Sequence, residues 1–516
     1  MPAVGATPDV IMPLKPMRGW LTMCVLLSGP YVTPSEASAQ ATPGEGLPVV
    51  EHTLDNGMRL LILPQTTAPT VSFVVQYEVG GVNEVLGSTG IAHLLEHLLF
   101  KGTTTVGTRN YPAEQALFAE MDAVQDTILM LRSSVGGHDT VRIGELSGRI
   151  GTLEDSARTH VVANEFDLVL STAGARGLNA TTDSESTTYF VELPSNRVEL
   201  WFIMEADRMR NPVFREFYSE RDVVAEERRM RVDTQPSALI YQAHMATAFR
   251  MHPYGVPVVG YMSDVQNLTR RQVVDYYRRF YGPNNAVVAI VGDVDPDQII
   301  GWAEEYFGGI PAGEAPRPVL AREPEQRGER RTEIEFDAEP LVRMGWHVVD
   351  TLHDDMPALV MLTSLLTGGQ TSRLYQRLVV RERLATSVTS SMGPGSRFAQ
   401  LFSISAVPRA PHSTLDIEAV VYEELERLAA QPPDDLDLQR VRNQVEAGNF
   451  RRLTSNLGLA LQVAGSASLY GDWRSSFRFS RRLQAVTPEE VSRVVRVHFT
   501  RKNRTVATLV KNGTDP

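Results

Sequence analysis

The stretch 90–102, GIAHLLEHLLFKG, carries His93, Glu96 and His97 inside a run that otherwise belongs to a helix core. At 100° per residue, Ile91, Leu94, Leu95, Leu98 and Leu99 form one apolar stripe, with Ser88 or Thr89 as the N-cap and Gly102 as the stop. His93, Glu96, His97 and Phe100 fall together on the opposite face. Two imidazoles one helical turn apart can both reach a single Zn²⁺ at about 2.0–2.1 Å. The carboxylate between them is close enough to take a proton from a water whose pKa the metal lowers to about 7, which makes a nucleophile at neutral pH. The order H-x-x-E-H is the mirror of the H-E-x-x-H signature of zinc peptidases. The bland alternative is a surface helix with a His–Glu pair, and the shared face argues against it.

A catalytic zinc usually has three protein ligands and one open position, so a third ligand must come from elsewhere. The helix predicted over 214–233, FREFYSERDVVAEERRMRVD, puts Glu220 and Glu227 two turns apart on a face shared with Val223 and Val224. A carboxylate on an apolar face needs a partner. Arg221, Arg228, Arg229 and Arg231 suit a solvated charged helix equally well, and Glu226 adjoins Glu227. Periodicity therefore leaves the third ligand open.

The surrounding elements read as an α+β fold. VVEHTLDNGMRLLILPQ gives strand-like runs on both sides of Asp55-Asn56-Gly57, a hairpin signal, and TVSFVVQYEVGG gives another strand just ahead of the histidine helix. Residues 267–292 and 485–510 repeat without a gap at an offset of 218: Thr269 with Thr487, Val273 with Val491, Tyr281 with Phe499, Asn285 with Asn503 and Val288 with Val506. Each copy runs from an N-capped helix through a turn into a strand. Two homologous α+β domains follow: 40–310, which carries the histidines, and 332–516, joined by the proline- and charge-rich linker 311–331. Residues 105–170 read as a polar helical pair inserted in the first domain, suited to packing or interaction.

At 516 residues the chain exceeds one core, and 42% hydrophobic with 22% charged residues is ordinary globular composition. A net charge of −12 argues against a nucleic-acid partner. Lys15 and Arg18, the apolar stretch 20–27 and Ala37-Ser38-Ala39 have the order of an export signal at residues 1–39, cleaved after Ala39. The alternative is a short hydrophobic arm of the folded protein. Cys24, the one cysteine, lies within this segment, so the mature chain has no disulfide. No later run of 18 apolar residues offers a membrane anchor. A periplasmic location is the expectation.

Together GSTGIAHLLEHLLFKGT, NATTDSESTTYFVELP, SERDVVAEERR and HPYGVPVVG resemble the pitrilysin/insulinase family of zinc peptidases, above all its two-domain members related to mitochondrial processing peptidase. The resemblance spans 48–510 and implies one Zn²⁺ per chain, held by His93, His97 and Glu227, with Glu96 as general base. Glu220 would support the site from behind, and Asn179 and Ala180 would lie on an edge strand that pairs with an extended peptide substrate. Read without the resemblance, Asn179 is a loop asparagine. The 130 residues from His97 to Glu227 are more than the family usually shows, and the insert accounts for the excess. The implied fold is half of a clamshell-like chamber.

The family's second domain carries an arginine and a tyrosine that bind substrate backbone. Here LVVRERLATSV, 378–388, has Val379 and Thr386 at those places, with Arg381 and Arg383 as the nearest substitutes for the arginine. The expectation is a zinc endopeptidase whose paralogous partner subunit supplies the missing pair, the insert being one contact surface; a homodimer is the simpler alternative. A non-catalytic assembly subunit, or a zinc hydrolase of small amides or esters, are the competing readings.

Overall fold

The computed structural model describes residues 46–134 and 139–511; the export-signal reading of 1–39, with Cys24 and Ala39, lies outside them. Six strands form a first sheet: β1 (Val50–Thr53), β2 (Arg59–Pro64), β3 (Thr70–Tyr77), β4 (Arg176–Thr182), β5 (Thr187–Pro194) and β6 (Ala286–Gly292), in spatial order β1-β2-β6-β3-β5-β4. A second sheet has β7 (Arg330–Glu335), β8 (Leu341–Val348), β9 (Ala385–Gly393), β10 (Gln400–Pro408) and β11 (Arg504–Val510), in order β7-β11-β8-β10-β9. Each contains one parallel pair, β2 with β6 and β7 with β11, followed by an antiparallel run. The second sheet is the first without β1.

The internal repeat sets this correspondence. Helices Arg270–Phe280 and Pro488–His498, and strands β6 and β11, start and stop at the same offset of 218. Both helices open with a reciprocal cap: Thr269 with Gln272, and Thr487 with Glu490. The hairpin read at Asp55–Gly57 joins β1 to β2, with Gly57 in the left-handed region. Strand β7 begins at Arg330, so the last two residues of the expected linker belong to a strand. The rest of the linker is tied down, since Glu323 accepts the backbone N–H groups of Arg250, Met251 and His252.

Successive side chains on a strand point to opposite faces, and the first sheet is apolar on both. Leu60, Ile62, Val71, Phe73, Val75, Val288 and Ile290 face the main core of the first half. Leu61, Leu63, Val74, Val287, Ala289 and Val291 face the other way and need their own cover. Four helices position the site and cover the sheets: α1 (Ile91–Leu98), α2 (Phe217–Arg228), α3 (Pro236–Ala248) and α4 (Asn456–Tyr470). The cover on the back of the first sheet is α4, from the second half, which brings Ala460, Val463, Ala464 and Ala467 against it. In return α3, from the first half, lies on the second sheet, with Ile240 against Ala507 and Leu509. At the repeat offset α3 and α4 largely coincide, so the exchange is reciprocal. The expected boundary at 310 marks a sequence repeat, while each sheet is completed by a helix from across it.

The insert contains two long helices, Tyr111–Arg132 and Thr140–Arg158, that pack on each other, then a short helix Glu165–Thr172. Phe118, Met121, Ile150 and Leu153 join the main core, which fixes the pair to the domain. Among the described residues no helix is long and apolar enough to cross a membrane.

Candidate active site

Helix α1 buries the expected stripe: Ile91, Leu94, Leu95 and Leu98 are all at most 3% exposed. Its start differs from the expected Ser/Thr cap. Gly90, at φ 86°, is the N-cap, and the buried Glu84 carboxylate accepts the N–H groups of Gly90 (2.8 Å) and Ala92 (2.9 Å). Thr89 is engaged elsewhere, donating to Asp264 at 2.7 Å. The helix ends at Leu98, so Phe100 lies beyond it. A cap from Glu84, supplied across a loop, lets glycine start the helix that aims His93, Glu96 and His97.

Helix α2 meets α1 and presents Glu220 and Glu227 to the two histidines. His93 Nε2 is 3.7 Å and His97 Nε2 3.4 Å from Glu227 Oε2, and the imidazole rings stand 4.8 Å apart, nearly perpendicular. One donor atom from each of His93, His97 and Glu227 lies within 4.8 Å of the others. Ligands bonded at about 2.0–2.1 Å to one tetrahedral ion stand about 3.3 Å apart, so the three donors suit a zinc ion between them. Glu226 and Glu227 differ in exposure: the Glu227 side chain is 13% exposed, whereas that of Glu226 is 51% exposed and pairs with Arg229. Val223 departs from the expected apolar face, being exposed, while Val224 is buried.

The surroundings tune these groups. Glu220 Oε1 lies 2.9 Å from His97 Nδ1, which leaves Nε2 of that ring to face the cluster. Lys101 binds the other Glu220 oxygen at 2.6 Å. Burial alone would raise the Glu220 pKa, but the hydrogen bonds from His97 and Lys101 outweigh it and hold the carboxyl at about 2. For His97, burial is outweighed by Glu220 and the pKa rises; for His93, burial and the charge of His97 push it down to about 4, which favours a neutral ring. The His93 Nδ1 is buried without a partner among the described residues. Glu96 accepts a hydrogen bond from Thr182 on β4, and burial raises its proton affinity. Arg231 binds Glu227 Oε1 at 2.6 Å, leaving Oε2 toward the histidines.

Strand β4 is the edge of the first sheet, with Asn179 opposite Phe190 and Ala180 opposite Tyr189. Asn179 is exposed, and its Oδ1 accepts the N–H of Ala180 at 2.9 Å. Thr182, Lys101 and Glu84 are site residues that the sequence does not single out, and Arg231 is there only one of several helix charges. Only Thr182 left a signal, lying three residues from Asn179 in the same strand.

At the two family positions the second half has neither the arginine nor the tyrosine. Val379 packs against the core of that half, and Thr386 is exposed with its hydroxyl donating to the Val407 carbonyl. Arg381 and Arg383 are exposed, and Arg383 takes φ 56°.

The sequence model "Insulinase (Peptidase family M16)" matches residues 60–123 and 156–261, and "Peptidase M16 inactive domain" matches 267–445. The first passes over 124–155, the outer part of the helical pair. The zinc protease PqqE of Helicobacter pylori is 28% identical over 430 residues, 82% of either chain. A protease structure from Helicobacter pylori shares the fold at a TM-score of 0.75 and 24% identity, covering 90% of this chain and 100% of that one. The periplasmic protease PqqL of Escherichia coli shares the fold at 0.66 and 17%, and there the match covers 90% of this chain but 47% of the longer one. With both halves matched, including the helices of His93, Glu96, His97 and Glu227, the chain belongs to the insulinase family, peptidase family M16.

Proposed function

We propose that this chain is a zinc-dependent endopeptidase acting on peptides or unfolded polypeptides. The observation that carries the reading is the convergence of His93, His97 and Glu227 beside a buried Glu96. Zinc, held by those three side chains, would polarise the scissile carbonyl and the attacking water. Thr182 holds one Glu96 oxygen and leaves Oε1 for the proton of the water as its oxygen bonds to the carbonyl carbon. Glu96 then passes that proton to the amide nitrogen as the C–N bond breaks. Glu220 keeps the His97 ring turned toward the metal, and the raised proton affinity of Glu96 suits an acceptor. An extended substrate adds to the β4 edge, for which the Asn179 side chain swings off the Ala180 N–H.

The site is completed by a paralogous subunit. Val379 and Thr386 cannot contact substrate backbone as an arginine and a tyrosine would, whereas a second half-chamber carrying that pair could. PqqL, more than twice the length matched, is compatible with such pairing within one chain. Export to the periplasm, with cleavage after Ala39, is part of the same reading and is checked by mass spectrometry of protein recovered from cells.

The test is hydrolysis of an unfolded polypeptide by the purified protein, after chelation and after zinc is restored, alone and mixed with a co-exported paralogue. Chelation stops cleavage, zinc restores it and the mixture is faster. Undiminished activity after verified metal removal would overturn the metallopeptidase reading, and equal rates alone and mixed would overturn the partner.

A further inference from the structure

Arg343 stands on β8, on the face of the second sheet that α3 covers, beside a cavity of about 170 Å³. That is many times what one water needs, about 10–15 Å³. Tyr241 and Met245 of α3, Ser391 and Gly393 of β9, and Ser403 of β10 line it with Arg343. The guanidinium lies over the Tyr241 ring at 4.8 Å, and Nη1 donates to Ser405 at 3.1 Å. Nε is shut off from solvent without an acceptor. Among the described residues no carboxylate comes within 4.0 Å of this arginine. Arginines buried more deeply are paired: Arg215 with Glu114, Arg208 with Glu205, Arg228 with Asp233.

A half-buried guanidinium with one nitrogen shut off from solvent is normally met by a carboxylate, and here none is near while space is left for one. The hydroxyls of Ser391 and Ser403 make no hydrogen bond among the described residues, so the lining offers donors and a cation to whatever enters. The uncompensated charge is felt nearby: burial and Arg343 together hold His244 on α3 at about 3. The cavity also borders a sheet edge, to which an extended peptide can add. Its wall at 391–393 belongs to β9, the edge strand of the second sheet. Tyr241 follows Glu227 by fourteen residues of mostly helical chain, which keeps the two within about 30 Å, the reach of some nine extended residues.

The geometry points to a carboxylate-binding subsite: the pocket at Arg343 receives an acidic side chain or the free C terminus of a peptide whose scissile bond lies at the zinc site. The assignment rests on the peptidase reading above and adds a substrate class to it. A carboxylate oxygen accepts from the guanidinium and from the serine hydroxyls, with the Tyr241 ring as a wall.

The test uses the full-length protein, purified with the subunits that accompany it, and a peptide series of one uncharged sequence, with a single Glu or Gln scanned along it and the C terminus free or amidated. Cleavage gives KM and kcat, and fluorescence polarisation with the Glu96→Gln variant gives Kd without turnover. Glu in one window of positions, or a free C terminus, lowers KM and Kd about tenfold with little change in kcat. Arg343→Gln, which removes the half-buried charge and keeps an amide donor, cancels the difference, with the unfolding temperature measured to check that the variant is folded. Dependence on amidation assigns the terminal carboxylate, and dependence on Glu position assigns a side chain. Cleavage with equal KM and Kd for every pair, or a preference that survives Arg343→Gln, overturns the subsite. Discrimination in Kd without cleavage of any peptide would uphold the subsite and remove the peptidase reading.

Discussion

Glu226 and Glu227 are neighbours in sequence with opposite fates, and the difference is testable in metal affinity. Glu227→Gln removes a donor of the cluster and lowers zinc affinity at least about a hundredfold by isothermal titration, whereas Glu226→Gln, at an exposed ion pair, changes it little. Glu220→Gln, which frees the His97 ring, falls between, with a loss of about 10–100-fold. Equal effects at 226 and 227 would reverse the assignment. His93, Glu96 and His97 were legible because their spacing lies within one helix. The choice of Glu227 needed the family resemblance, because the histidines and α2 meet only in three dimensions. Thr182 and Lys101 act through hydrogen bonds that no periodicity records. His244 is held at about 3, against an ordinary value near 6.5, by burial and by Arg343. The unfolded chain takes up a proton below about pH 6.5 that the native ring refuses until about 3, so this residue costs stability as pH falls through that window. The urea midpoint followed by tryptophan fluorescence therefore drops between pH 6.5 and 4, and His244→Gln makes the drop shallower.

Helix α3 approaches the second sheet as closely as it does because position 345 has no side chain. A Cβ there would come within 2.5 Å of His244 Cε1 and 2.7 Å of Nε2, so Gly345→Ala lifts the helix. The expected cost is about 1–3 kcal/mol by urea unfolding. On the other side of the exchange, Ala464 is fully buried where α4 lies on the back of the first sheet, and Ala464→Leu costs about as much. No change in midpoint for either would mean that these contacts are loose. The helix–turn–strand units at 270–292 and 488–510 were readable to the residue, since capping and apolar periodicity are local. The sheet each exchanged helix covers was not, because α3 and α4 carry similar apolar content and nothing local says which strands they meet. The cap of α1 was misread for a related reason: Glu84 precedes Gly90 by six residues and reaches it only because the loop folds back.

At the scale of the molecule, the exchanged helices make each half depend on the other. Residues 46–310 alone would leave Leu61, Leu63, Val74, Val287 and Val291 uncovered, so this fragment aggregates, and it becomes soluble when co-expressed with 311–516. A soluble, cooperatively folded fragment would show that α4 is dispensable. The repeat made two domains legible, and their reciprocal completion became visible only with the sheets assembled. The central claim is that one metal and one carboxylate perform the hydrolysis, and it is tested most directly by measuring zinc content and peptide cleavage together. The proteins compared are wild type and Glu96→Gln, each purified with the subunits that accompany it. Both should hold about one zinc per chain, as a single three-ligand site requires, while the variant's kcat falls by at least about a hundredfold through loss of the proton acceptor. A Glu96→Gln protein that holds zinc and cleaves at the wild-type rate would contradict the account.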